Sequence, residues 1–137
     1  MFYGENIMKN TANTFITGFF LLLIFGAGLA FADEPLGKDA LESAIKGNTA
    51  EGKFLNWGTT YKMFFDPSGQ FRRIDSRNNK ESGAWSIDAK GVLLMSGRKD
   101  RYRTVKQRKD GGYDVYNKAG KVVWTMDKLV PGNPYNL

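Results

Sequence analysis

The 137-residue chain contains no cysteine and no histidine. Each absence closes a chemistry. Without cysteine there is no disulfide, no thiol nucleophile, no thiolate metal site and no lipid attachment at a lipobox cysteine. Without histidine the commonest general base and the commonest metal ligand are gone, and no Ser-His-Asp or Cys-His arrangement can be assembled. A Gly-rich phosphate loop is missing as well: "KDGG" and "NKAG" read as hairpin turns rather than a Walker-type loop. No metal or cofactor is expected.

Charge is absent between Lys9 and Asp33. That span holds the apolar run "FITGFFLLLIFGAGLAFA" and closes on Ala30-Phe31-Ala32, a small-x-small exit followed by the polar Asp33-Glu34-Pro35. A charged start, an apolar centre and a small-residue exit are the parts of a secretory signal peptide. The strongly apolar core, residues 15–27, falls short of the roughly 20 residues that cross a bilayer. Residues 1–32 are therefore expected to be removed by cleavage between Ala32 and Asp33, a permanent anchor being the alternative. The mature protein is expected in the periplasm or secreted. Met8-Lys9 is a more natural start than Met1, because it places the positive charge near the N-terminus.

The remaining residues, 33–137, are expected to form one small domain. The chain carries 20 Lys and Arg against 14 Asp and Glu, a net charge of +6. Glu5 and Lys9 cancel, so the mature domain keeps this positive balance. A positive exported domain is drawn to anionic lipids, glycans or acidic proteins. Nucleic acid would respond to the same charge, but export makes it an unexpected natural partner.

The spacing of Leu36, Ala40, Leu41, Ala44 and Ile45 predicts a helix over 36–46, with Asp39 and Glu42 as a capping box and Gly47 as a left-handed C-cap. Beyond Gly52 the period becomes two. "KFLNW", "TYKMFF", "QFRRID", "ESGAWSID", "VLLMS", the basic run, "YDVYN" and "KVVWTM" are about eight short strands joined by turn-length connections. The expected fold is all-β: a small antiparallel up-and-down barrel, or a strongly curled sheet, with the helix over an end or an open face. Trp85 and Trp124 lie on apolar strand faces and are expected in the core. Any pocket should be small and should open at the end away from the helix. The tail "LVPGNPYNL" is expected to be extended or irregular, either sealing one side of the barrel or serving as a linear docking segment.

Three pieces resemble a pattern of small exported proteobacterial proteins of uncharacterised function: "GNTAEG" (residues 47–52), "SGAWSI" (82–87) and the closing "PGNPYNL" (131–137). Together they frame nearly the whole mature chain. The Gly-x-Trp of the second piece also gives a weak resemblance to lipocalin-like barrels. These resemblances imply a barrel and an exported location, and no activity. The chain departs from the first pattern in having no cysteine after the tryptophan.

The candidate site lies in "RKDRYRTVKQRK", which holds seven basic residues with only Asp100 opposing them. Strand alternation places Arg101, Arg103 and Lys109 on one face and Tyr102, Thr104, Lys106 and Arg108 on the other. Such a strand is buried on neither side unless a bulge or a polar lumen accepts its charges. Edge protection alone would also account for charge here. The candidate partner-binding residues are Arg98, Lys99, Arg101, Arg103, Lys106, Arg108 and Lys109. Most acidic residues sit at turns, and no glycosidase-like pair is marked. The expectation is a non-enzymatic binding module that contacts an anionic envelope component or envelope protein. The alternative is a lipocalin-like carrier of a small apolar ligand.

Overall fold

The computed structural model describes residues 34–137. The expectations for the leader and its cleavage lie outside the described residues. One helix, α1 (Lys38–Ile45), precedes nine strands: β1 (Asn48–Phe54), β2 (Thr59–Phe65), β3 (Gln70–Asp75), β4 (Lys80–Ile87), β5 (Leu93–Ser96), β6 (Asp100–Gln107), β7 (Tyr113–Tyr116), β8 (Val122–Met126) and β9 (Lys128–Pro131). Each strand from β1 to β8 pairs antiparallel with the next, and β8 returns to β1 at Phe54↔Trp124. Eight strands thus close into a barrel, which leaves no unpaired edge in the ring. β9 is an additional strand. It continues past a kink at Asp127 and pairs with the first half of β1, from Asn48↔Pro131 to Glu51↔Lys128.

The hairpins share one piece of local chemistry. In the turns opening at Asp66, Asp75, Asp88, Arg108 and Asn117, the N–H of the fourth residue donates to the carbonyl of the first. That fourth residue is Gly69, Asn78, Gly91, Gly111 or Gly120, all at positive φ. Glycine and asparagine tolerate this conformation best, and it closes a hairpin after a type I turn. In four of these turns the opening Asp or Asn side chain also accepts N–H groups of its own loop, as Asp88 does from Lys90 and Val92. In the remaining turn, which opens at Arg108, Asp110 does this for Gly112.

The helix is shorter than expected and begins later. Its N-cap is Gly37, which makes no side-chain cap bond, so the Asp39–Glu42 capping box does not form. The chain before it is held extended by the barrel: Leu36 N–H donates to Val105 O at 2.8 Å and Pro35 bridges to Lys106. Asp39 still lies in the first turn, where negative charge suits the helix dipole. Glu42 pairs with Lys46 instead. Gly47 does terminate the helix at φ +74°.

Leu41 and Ile45 of α1 are fully buried in one cluster with Phe65, Leu93, Val105, Val115 and Met126. The helix therefore plugs one end of the barrel. Gly47 N–H bonds to Phe65 O there, and Leu36 and Gly37 lie against Gly91. Trp85 and Trp124 are buried, as their strand positions predict. The tail departs from expectation at its start, where residues 128–131 form β9. Beyond it Tyr135 lies on the outside of the barrel, its hydroxyl donating to Glu51 at 3.0 Å and its ring under the Lys62 ammonium at 3.9 Å.

Candidate functional site

The barrel interior changes character along its axis. Toward the helix it is aliphatic and aromatic. Toward the opposite end, alternation brings charged residues inward: Arg73 follows Phe71 on β3, Glu81 precedes Trp85 by four on β4, and Arg101 and Arg103 precede Val105 on β6. All of these positions share the inward parity of buried apolar residues. The lumen is therefore polar at this end. That resolves how β6 sits in a closed sheet with charge on both of its faces.

Glu81 is the hub. Its carboxylate lies 3.2 Å from the Arg73 guanidinium and 3.1 Å from that of Arg101, and it accepts the Arg98 backbone N–H at 2.9 Å. Gly97 makes room for this contact, because a Cβ there would run into the Glu81 carboxylate. Burial pushes the Glu81 carboxyl up, but the Arg98 N–H, the Arg101 hydrogen bond and the charges of Arg101 and Arg73 outweigh it and hold the group below its ordinary value. Burial pulls the Arg73 guanidinium down, Glu81 opposes that pull, and Arg101 adds to it. The Arg73 guanidinium also lies over the Phe54 ring, 4.8 Å from its centroid.

Arg103 is placed differently. Among the described residues it makes no ion pair. Its one hydrogen bond runs from Nη1 to the carbonyl of Tyr102 at 3.2 Å, and its buried Nε has no partner. Burial lowers its affinity for its proton, and the neighbouring Arg101 charge lowers it further. Arginine nevertheless stays charged. Two guanidiniums thus share one carboxylate, a third, Arg103, has none, and the buried Nε atoms of Arg73 and Arg103 both lack a partner.

These groups line a cavity of about 150 Å³ that opens away from the helix, the end where the sequence places a mouth. Its remaining wall includes Phe54, Trp57, Met63 and Trp124, with Asn56 and Lys99 at the rim. The Trp57 indole packs against Phe54 with ring centroids 5.2 Å apart, and Trp57 is still 52% exposed. A larger furrow of about 620 Å³ crosses the outer faces of β1, β2 and β3. Its lining mixes both signs of charge, including Glu51, Lys53, Lys62, Asp75, Asp127 and Lys128, and holds no buried group in want of a partner.

The seven basic candidates do not form one surface. Arg101 and Arg103 point into the lumen, Lys99 stands at its rim, and Arg98 sits beside Glu81 with its guanidinium donating to Lys80 O at 3.2 Å. Lys106 faces outward over the Tyr116 ring at 4.9 Å. Arg108 lies past the end of β6, at the helix end, where it pairs with Asp110, Asp114 and Asp127. Lys109 is exposed in the following turn, rather than on a strand face with Arg101 and Arg103. Arg73, Glu81 and Trp57 belong to the site although no motif marks them. The available signal was parity: Arg73 and Glu81 occupy alternating positions otherwise taken by core residues.

The closed antiparallel barrel resembles lipocalin-like folds. No protein-family model and no curated protein matches the chain. Such a barrel is compatible with binding. Among the described residues no helix is long and apolar enough to cross a membrane, and no group of three or more Asp or Glu side chains is arranged to hold a metal ion.

Proposed function

We propose that the chain is an exported, non-enzymatic binding protein whose partner is an anionic component of the cell envelope, engaged at the barrel mouth. The Arg103 guanidinium, which has no carboxylate partner and a buried Nε without an acceptor, carries this reading. A half-buried cation with a buried donor left free costs stability until an anion supplies the missing bond. Arg101 and Arg73 add positive potential behind it, and Arg98 and Lys99 extend that potential to the rim. The absence of histidine and cysteine supports a binding role over catalysis. So does the state of Glu81, which is committed to three donors and unavailable as a general base. Export rests on the sequence of residues 9–33, and the exported protein is expected to have an intact mass corresponding to a chain starting at Asp33.

The test compares binding to anionic vesicles, lipopolysaccharide and inorganic phosphate at low and high salt. Arg103→Gln and the rim pair Arg98→Glu with Lys99→Glu should weaken binding. Lys106→Glu with Lys109→Glu, on other parts of the barrel, should leave it unchanged. Arg101 is kept, because it holds Glu81. Binding of the wild type to none of these probes, or equal binding by Arg103→Gln, sinks the reading. The apolar wall of the cavity favours a second reading, a carrier of a small apolar ligand. Uptake of a neutral apolar dye, unaffected by Arg103→Gln, would decide for it.

A further inference from the structure

The mouth presents two unlike surfaces to the same small volume. One is polar, the free donors of Arg103 with Arg101 two residues before it on β6. The other is apolar, Phe54, Trp57, Met63 and Trp124, with the Arg73 guanidinium over the Phe54 ring. Inorganic phosphate or sulfate would satisfy the first surface and leave the second facing water. A neutral hydrocarbon would do the reverse and leave Arg103 without an anion in a drier site, a costly outcome for a charge already half-buried. A ligand that suits both must carry a negative group joined directly to a compact apolar body.

Size and shape narrow this further. A cavity of about 150 Å³ holds a single six-membered ring and little more. Guanidinium donors form a planar fork that matches a planar carboxylate, which is also small enough to sit beside a ring in this volume. The tryptophan and phenylalanine rings favour a flat aromatic body, by offset stacking or edge contact. Building on the anion-binding reading above, we infer that the barrel mouth is a site for a small aromatic monocarboxylate, its carboxylate on Arg103 and its ring against the aromatic wall of Phe54, Trp57 and Trp124.

Two tryptophans in the wall provide the readout. The purified protein is titrated with benzoate, benzyl alcohol, acetate and inorganic phosphate, followed by tryptophan fluorescence and by calorimetry. Benzoate should bind, and benzyl alcohol and acetate should each bind at least about tenfold more weakly, the loss of one charge-assisted hydrogen bond or one ring contact. Arg103→Gln should weaken benzoate by at least about tenfold with an unchanged circular dichroism spectrum. Trp57→Ala, at an exposed position, gives a second variant whose folding is not in question, and it too should weaken benzoate. Benzoate binding that equals that of benzyl alcohol, or that survives both variants, overturns the inference. If phosphate or anionic vesicles bind and benzoate does not, the aromatic ligand is refuted and the anion-binding reading stands. If no anion binds, both fall.

Discussion

Arg73 and Glu81 face each other inside the barrel on neighbouring strands, with guanidinium and carboxylate 3.2 Å apart and each side chain less than a tenth exposed. β3 and β4 pair so that Arg73 is directly opposite Glu81. A cross-strand pair of this kind is ordinary on a sheet surface. Inside a barrel it removes both charges from water, and the hydrogen bonds around Glu81 must offset that cost.

Glu81→Gln keeps the shape and removes the charge. Arg73 and Arg101 then lose their common partner and stand beside Arg103 with no counter-charge of their own. Breaking one side of a buried ion pair costs about 3–5 kcal/mol. A denaturant melt at neutral pH should show a loss of this order. A change under about 0.5 kcal/mol, the scale of surface substitutions, would mean that water screens the cluster and the lumen is wet.

The same carboxylate sets an acid dependence. Its value in the folded state lies below the ordinary 4.5, with burial raising it and the Arg98, Arg101 and Arg73 interactions prevailing. A group lowered on folding stabilises the fold above its unfolded value, and that contribution is lost as pH falls through the folded value. Wild-type melting temperature should therefore drop on acidification below 4.5. The gap between wild type and Glu81→Gln should narrow over the same range. Asp66, Asp75 and Asp110 are lowered too, so part of the acid slope will remain in the variant. Parallel curves for the two proteins would show that Glu81 is not the sensor.

Trp85 and Trp124 occupy opposite reaches of the core. Trp85 stands edge-on to Phe65 with centroids 5.7 Å apart, and its indole N–H donates to Asp66 O at 3.0 Å. Trp124 meets Tyr61 edge-on at 5.6 Å and forms part of the mouth. Truncation of either to Ala should cost about 3–5 kcal/mol. Trp57→Ala should stay within about 0.5 kcal/mol, because that side chain is half exposed. Equal losses at all three positions would mean that the Trp57 loop is part of the core.

Much of this fold is legible in the chain. The two-residue alternation in "TYKMFF" and "KVVWTM", and turn openers such as Asp66 and Asp88, locate the strands and their hairpins. Closure is less legible, since it depends on how β8 meets β1. The pairing Phe54↔Trp124, the Leu55 N–H bonded to Val123 O and the kink at Asp127 reveal that. The site was half visible. The charge density of residues 98–109 draws attention to β6. A count of charge, however, treats Arg103 and Lys106 alike, whereas parity sends one into the lumen and the other over Tyr116. Arg73 and Glu81 are single charged residues in otherwise ordinary strands. Their role appears only when the β3–β4 register places them together beside β6.

The closing seam offers the sharpest test of the barrel itself. At Gly52, β1 passes so close to β8 that a Cβ would run into the carbonyl of Thr125. That carbonyl also accepts the Tyr61 hydroxyl at 2.5 Å, and the Thr125 hydroxyl oxygen accepts the Lys53 N–H at 3.2 Å. Two residues on, Asp127 N–H bonds to Glu51 O at 2.8 Å as the chain kinks into β9. The obstacle at Gly52 is backbone, so it cannot be relieved by rotating a side chain. Gly52→Ala must spread the two strands, disturb the Tyr61 hydrogen bond and shift Trp124 beside it. Overpacking of this kind typically costs about 1–3 kcal/mol. The variant should melt earlier, and amides along the β1–β8 seam should exchange faster with solvent than those of the β3–β4 hairpin. Unchanged stability with uniform exchange would mean that β1 and β8 do not approach this closely, and that the sheet is curled rather than closed.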